Sequence, residues 1–147
     1  MVIFMLKGIP CILPPELLKI LMEMGHGDEI LIADGNFPSA ALANRLVRCD
    51  GHSVPDVLDA VLSLFPLDYY VEKPVALMDI PAGAKTPVIW AKFIEIVDKH
   101  EPEHNGIEYI ERFAFYERSK TAYAIVATGE GAKYANVILK KGVISTD

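Results

Sequence analysis

At 147 residues the chain is one domain by length, and with 52% apolar and 23% charged residues it has the composition of a protein that buries a core without staples. A formal net charge of -6 leaves no basic stripe for a phosphate backbone, so nucleic acid is not an expected partner. Cys11 and Cys49 sit in no CxxC; neither a disulfide framework nor a metal site is expected, and a reducing, cytoplasmic compartment fits best.

The opening MVIFMLKGIP lacks the basic start and the long apolar run of a signal peptide and reads as a first strand or arm. No later run approaches the ~18–20 apolar residues of a membrane span. In ILPPELLKILMEMGHG, Pro14, Pro15 and Glu16 suit a helix start and Gly25 suits its C′ position, with Leu17, Leu18, Ile20, Leu21 and Met24 on one face. Glu29 to Ala33 reads as a short, continuously apolar strand, followed by turn chemistry in GNFPS. Ser53 caps a second helix, whose stripe is Val57, Leu58, Val61, Leu62 and Phe65 and which Pro66 ends. DYYVEKPVALMDIP reads as one or two extended segments interrupted by Pro74. Thr86 and Pro87 open a third helix with Ile89, Trp90, Phe93, Ile94 and Val97 facing inward, and EPEHNG is the loop after it. Glu111 to Lys120 is a short helix feeding the strand AYAIVAT, and YANVILKKGVI supplies the last strand. Helices alternating with short apolar strands predict an α/β fold, a three-layer α/β/α sandwich around one central sheet, with no domain boundary between residues 1 and 147.

The residues with chemistry are few, and each has a plain reading beside a functional one. His26, bracketed by glycines, is a proton-transfer group near neutrality or a solvated loop residue at a helix end. Asp34 follows the apolar strand, where open α/β sheets bind ligands, or it starts an Asx turn. Arg112 and Tyr116 are four apart on a helix and offer a guanidinium and a phenol to a polyhydroxylated ligand, or they brace the helix. Tyr134 and Asn136 are alternate residues that point the same way if the strand has begun, and an amide both donates and accepts as vicinal hydroxyls demand. Asp68 caps the next segment or faces a site. Lys140 and Lys141 read as a solvated pair. No Walker loop, nucleophile elbow or HExxH is present, which removes the corresponding kinase, hydrolase and metalloprotease readings.

Taken together, GHGDEILIADGNFP, FPLDYYVEKP, RFAFYERSK and ATGEGAKYANVILKKGV resemble the L-fucose mutarotase family, whose sibling family is D-ribose pyranase. The resemblance runs in order over nearly the whole chain. It implies an isomerase that interconverts anomers of a free monosaccharide, needs no metal or other cofactor, and assembles as a ring-like homo-oligomer. It implies His26 as proton donor, with Asp68 assisting proton transfer as in animal relatives. Asp34, Arg112, Tyr116, Tyr134, Ala135 and Asn136 are then the sugar contacts. Two alternatives stay open: a pyranase acting between pyranose and furanose, and a non-catalytic monosaccharide-binding accessory. An extended segment would hold His26 and Asp34 up to ~26 Å apart, farther than a pyranose spans. Either the chain bends sharply there or one site takes the two residues from neighbouring subunits.

Overall fold

A computed structural model describes residues 4–147. In chain order the elements are β1 (Phe4–Leu6), β2 (Ile9–Pro10), α1 (Pro15–Glu23), β3 (Glu29–Ala33), α2 (Ser39–Leu42), β4 (Leu46–Cys49) and α3 (Val54–Leu62). There follow β5 (Val75–Met78), α4 (Ile89–His100), β6 (Ile107–Ile110), α5 (Arg112–Ser119), β7 (Ala124–Thr128) and β8 (Val137–Lys140). β1 and β2 pair as a small antiparallel ribbon, in keeping with the expected strand or arm, although the first three residues of that segment lie outside the described ones.

The other six strands form one sheet in the order β4-β7-β3-β8-β5-β6. β4, β7 and β3 are mutually parallel, as are β5 and β6, while β8 runs antiparallel to both β3 and β5. This reversal positions the site. Ile32 pairs with Val137 and Glu29 with Lys140, so the start of β8 lies beside the end of β3 and its end beside the start of β3.

Ile30, Leu31 and Ile32 of β3 are fully buried, as a continuous apolar run inside a sheet covered on both faces requires. Each contributes roughly 1.5–3 kcal/mol by leaving water. On one face α1, α3 and α4 bring Leu17, Leu58, Trp90 and Phe93 against Ile30, Ile32, Val126 and Leu139. On the other, Phe37 and Phe115 of α5 cover Leu31, Ala33, Ile125 and Ile138. The expected three layers are therefore present, one thick and one thin.

Several local expectations are corrected. Gly25 does occupy the C′ position, directly after the C-cap Met24 of α1, but the left-handed backbone usual there falls on Gly27, at φ 89°. α3 stops at Leu62 with Ser63 as its C-cap, before Pro66 is reached. On α4 it is Ile96, 5% exposed, that is buried, while Ile94 is 37% exposed. α2, β4 and β6 were not expected at all. Lys140 is no solvated surface group: it is half-buried and its Nζ lies 3.9 Å from Glu29 Oε2.

Candidate functional site

At the carboxyl end of β3 the chain turns at Asp34, which is buried. Its Oδ1 accepts from the Asn36 amide at 3.0 Å, the Asx turn that the sequence allowed. Its Oδ2 accepts from the Ala135 amide at 3.3 Å and from Asn136 Nδ2 at 3.2 Å, and the Asp34 amide donates to Asn136 Oδ1 at 2.8 Å. Gly35 suits the next position, because its amide donates to the Glu130 carbonyl at 2.8 Å and a Cβ would crowd that oxygen at 3.0 Å. Burial pushes the Asp34 carboxyl above the ordinary aspartate range, against the opposing pull of the Ala135, Asn36 and Phe37 amides and the Asn136 side chain.

α5 closes the cleft from the thin face. The Glu111 carboxylate caps it by accepting from the Phe113 and Ala114 amides, which places Arg112 at the first helical position. Arg112 Nε donates to the Tyr116 hydroxyl at 3.1 Å. Phe37, from the turn after Asp34, packs edge-on against Tyr116 at 5.5 Å and Phe115 at 6.0 Å, so the same turn that sets Asp34 also supports the phenol. The result is a cleft of about 350 Å³ lined by Asp34, Arg112, Tyr116, Tyr134 and Asn136 together with Asn36, Phe37, Met78 and Lys133. It offers a carboxylate, an amide, a phenol and a guanidinium above an apolar floor, the donor and acceptor mixture that a monosaccharide needs.

His26 and Asp68 lie at the other end of β3. His26 occupies the tight turn Gly25 to Asp28, whose ends are tied by the Asp28 amide donating to the Gly25 carbonyl at 3.1 Å. His26 Nε2 is 3.0 Å from Asp68 Oδ1, which also accepts from the Tyr70 amide at 2.9 Å. Both loops are pinned to the end of β8: the Gly27 amide donates to the Lys141 carbonyl at 2.8 Å and the Asp68 amide to the Lys140 carbonyl at 3.1 Å. From below, Glu101 accepts from the Leu67 amide at 3.2 Å and from the Tyr69 hydroxyl, which pushes that phenol up to about 12. Burial alone would raise the Asp68 carboxyl, but the Tyr70 amide, His26 and the Lys140 charge together hold it below the ordinary aspartate range. Tyr70 is 78% exposed, with its ring 5.4 Å from that of His26.

The eight candidate residues thus fall into two groups, Ala135 joining the Asp34 group through its amide, one at each end of a strand that stays in register with β7 and β8 without a bend. Five residues of strand span about 16 Å. Tyr134 and Asn136 do reach the same cleft, but not as alternate residues of a strand: β8 starts at Val137, and Tyr134 stands in a turn at φ 55°. Asn36, Phe37, Lys133 and Tyr70 are not singled out in the sequence, although each lies within three residues of a candidate; Met78 gives no signal, since it reads as core. Among the described residues no group of three or more His, Cys, Asp or Glu side chains could hold a metal ion, and no helix is long and apolar enough to cross a membrane.

Residues 7–144 match the model of the RbsD / FucU transport protein family. The L-fucose mutarotase of Actinobacillus pleuropneumoniae serotype 5b is 46% identical over 140 residues, covering 95% of this chain and 97% of that one. The crystal structure of the fucose mutarotase from Streptococcus pneumoniae in complex with L-fucose matches with a TM-score of 0.91 and 53% identity, over 95% of this chain and all of the other. Bacillus subtilis RbsD complexed with D-ribose matches with a TM-score of 0.73 and 27% identity, over 97% of this chain and 100% of that one.

Proposed function

Because the chain belongs to the RbsD / FucU transport protein family, we propose that it interconverts the α and β anomers of free L-fucose. The observation that carries this reading is the polar cleft around Asp34 in a chain that shares 53% identity with a fucose mutarotase solved with L-fucose. The weaker likeness to the ribose-bound relative favours a fucose-type sugar over ribose.

The sugar lies in the Asp34 cleft, held by Arg112, Tyr116, Tyr134 and Asn136. The proton chemistry belongs to His26. Ionised Asp68 accepts the Nε2–H of His26, which leaves the lone pair of the neutral ring on Nδ1. Nδ1 takes the proton of the anomeric hydroxyl as the bond from C1 to the ring oxygen breaks and the C1 carbonyl forms; a water protonates the ring oxygen and recovers a proton from the imidazolium, so that His26 acts as base and then as proton donor and no hydroxide is left. The free aldehyde rotates about the bond from C1 to C2, and the reverse transfers close the ring on its other face. Each positioned acid or base is worth typically 10²–10⁴-fold.

A pyranose in the Asp34 cleft does not reach His26 of the same chain. The site is therefore completed by a neighbouring copy, which brings its His26, Asp68 and Tyr70 to the open mouth of the cleft in a closed homo-oligomeric ring. A cytoplasmic setting suits the unpaired Cys11 and Cys49.

Magnetisation-exchange NMR on a panel of monosaccharides tests the reading. Sub-stoichiometric protein should accelerate α to β exchange of L-fucose more than that of D-ribose. Saturable sugar binding with no acceleration would make the chain a binding accessory instead.

A further inference from the structure

Tyr134 is the one non-glycine among the described residues with a positive φ, 55°. A side chain in the left-handed region is strained by roughly 1–2 kcal/mol and persists only where its surroundings hold it. Tyr134 is half-buried, packed against the core on both faces of the sheet, and it stands between the sugar cleft and a second hollow of about 680 Å³ that it lines with Ile80, Pro87, Val88 and Ile89. Packing alone fixes no backbone dihedral, and hydrogen bonds tie the turn at two points. Downstream, the Ala135 amide and the Asn136 side chain are tied to Asp34. At Tyr134 itself, the carbonyl accepts the indole Nε1–H of Trp90 at 2.9 Å.

Trp90 stands in the first turn of α4, is 7% exposed, and rests against the Tyr109 ring at 5.1 Å. It does not line the cleft. A buried indole N–H needs an acceptor, and among the described residues the one it has is the carbonyl of the strained residue that lines the cleft. We propose that Trp90 is a positioning residue for the sugar cleft, its indole N–H fixing the left-handed Tyr134 turn that presents Tyr134 and Asn136 to the monosaccharide. This rests on the reading of that cleft as the sugar site. It makes the thick layer of the sandwich, through α4, part of the binding apparatus. It also separates binding from proton transfer, because Trp90 is remote from His26 and Asp68.

The test uses Trp90→Phe and, because that change also trims the ring, a variant with benzothienylalanine at position 90, which keeps the shape and deletes only the N–H donor. L-fucose exchange is followed by NMR over a range of sugar concentrations. Both variants should raise KM about five- to ten-fold, the size of one buried hydrogen bond, with kcat within about two-fold of the parent. In the parent protein L-fucose should also shift the emission of Trp90, the single tryptophan of the chain. An unchanged KM in the folded benzothienylalanine variant overturns the proposal, and so does a fall in kcat at constant KM. Absence of both exchange and emission change in the parent protein overturns the sugar reading itself, and this inference with it.

Discussion

Asp34→Asn is nearly isosteric, yet it should weaken both the cleft and the fold in a way the hydrogen bonds define. Asp34 accepts three: Asn36 on one oxygen, Ala135 and Asn136 on the other. An asparagine offers one oxygen. Turned toward Ala135 and Asn136 it leaves the Asn36 amide facing an NH2 group; turned the other way it leaves two buried donors unmet. The first orientation is cheaper and costs about 1–2 kcal/mol at the outset. Against this, the amide removes a carboxylate whose pKa burial has raised. A raised native pKa gives stability that is complete below the unfolded value and lost as pH rises through the native one. The variant should therefore compare worst with the parent in acid and recover across the window from the ordinary aspartate range up to the raised native value. Urea unfolding followed by Trp90 fluorescence at about pH 4 and about pH 7, at one protomer concentration, reads the difference directly. L-fucose affinity should fall about ten- to hundred-fold, as for loss of a charged acceptor. A variant whose stability relative to the parent drops as pH rises, or that binds L-fucose normally, would refute the reasoning.

Asp68→Asn should behave oppositely. Its native pKa is depressed, so its stabilisation is present above the unfolded value and vanishes as pH falls through the native one; the variant should be less stable at neutral pH by about 1 kcal/mol and match the parent in acid, in the same unfolding experiment. Its anomer exchange should drop about 10²-fold, because His26 loses the carboxylate that orients it. Gly142→Ala puts a Cβ 2.8 Å from the carbonyl carbon of Leu67 and into collision with its oxygen, so the loop bearing Asp68 must move. We expect a loss of about 1–3 kcal/mol in thermal unfolding and a fall in exchange rate that exceeds the loss of sugar binding.

What the sequence discloses follows the physics of each element. The run Glu29–Ala33 is legible because both its faces are buried, and α3 because Ser53 accepts from the Asp56 amide as the cap pattern demands. β4 escapes because its residue types do not follow its alternating burial, apolar Leu46 being exposed beside buried Val47, and β6 because it is a half-exposed edge strand carrying Glu108 and Tyr109. The choice of Ile96 over Ile94 on α4 depends on where α3 lies, which no helical period contains. The cleft is hidden for the same reason: Asp34 and Asn136 are 102 positions apart and meet only because β8 runs against β3. By contrast, the separation of His26 from Asp34 is readable beforehand, since a strand of known rise lies between them.

That separation makes subunit mixing the sharpest measurement. His26→Ala and Asp34→Ala chains, each inactive alone, are co-expressed in equal amounts and assayed for L-fucose exchange. If each site draws its cleft from one chain and its His26 from the next, random assembly restores about a quarter of the sites. Recovery near that level is the predicted result, and no activity at any mixing ratio would contradict the shared site.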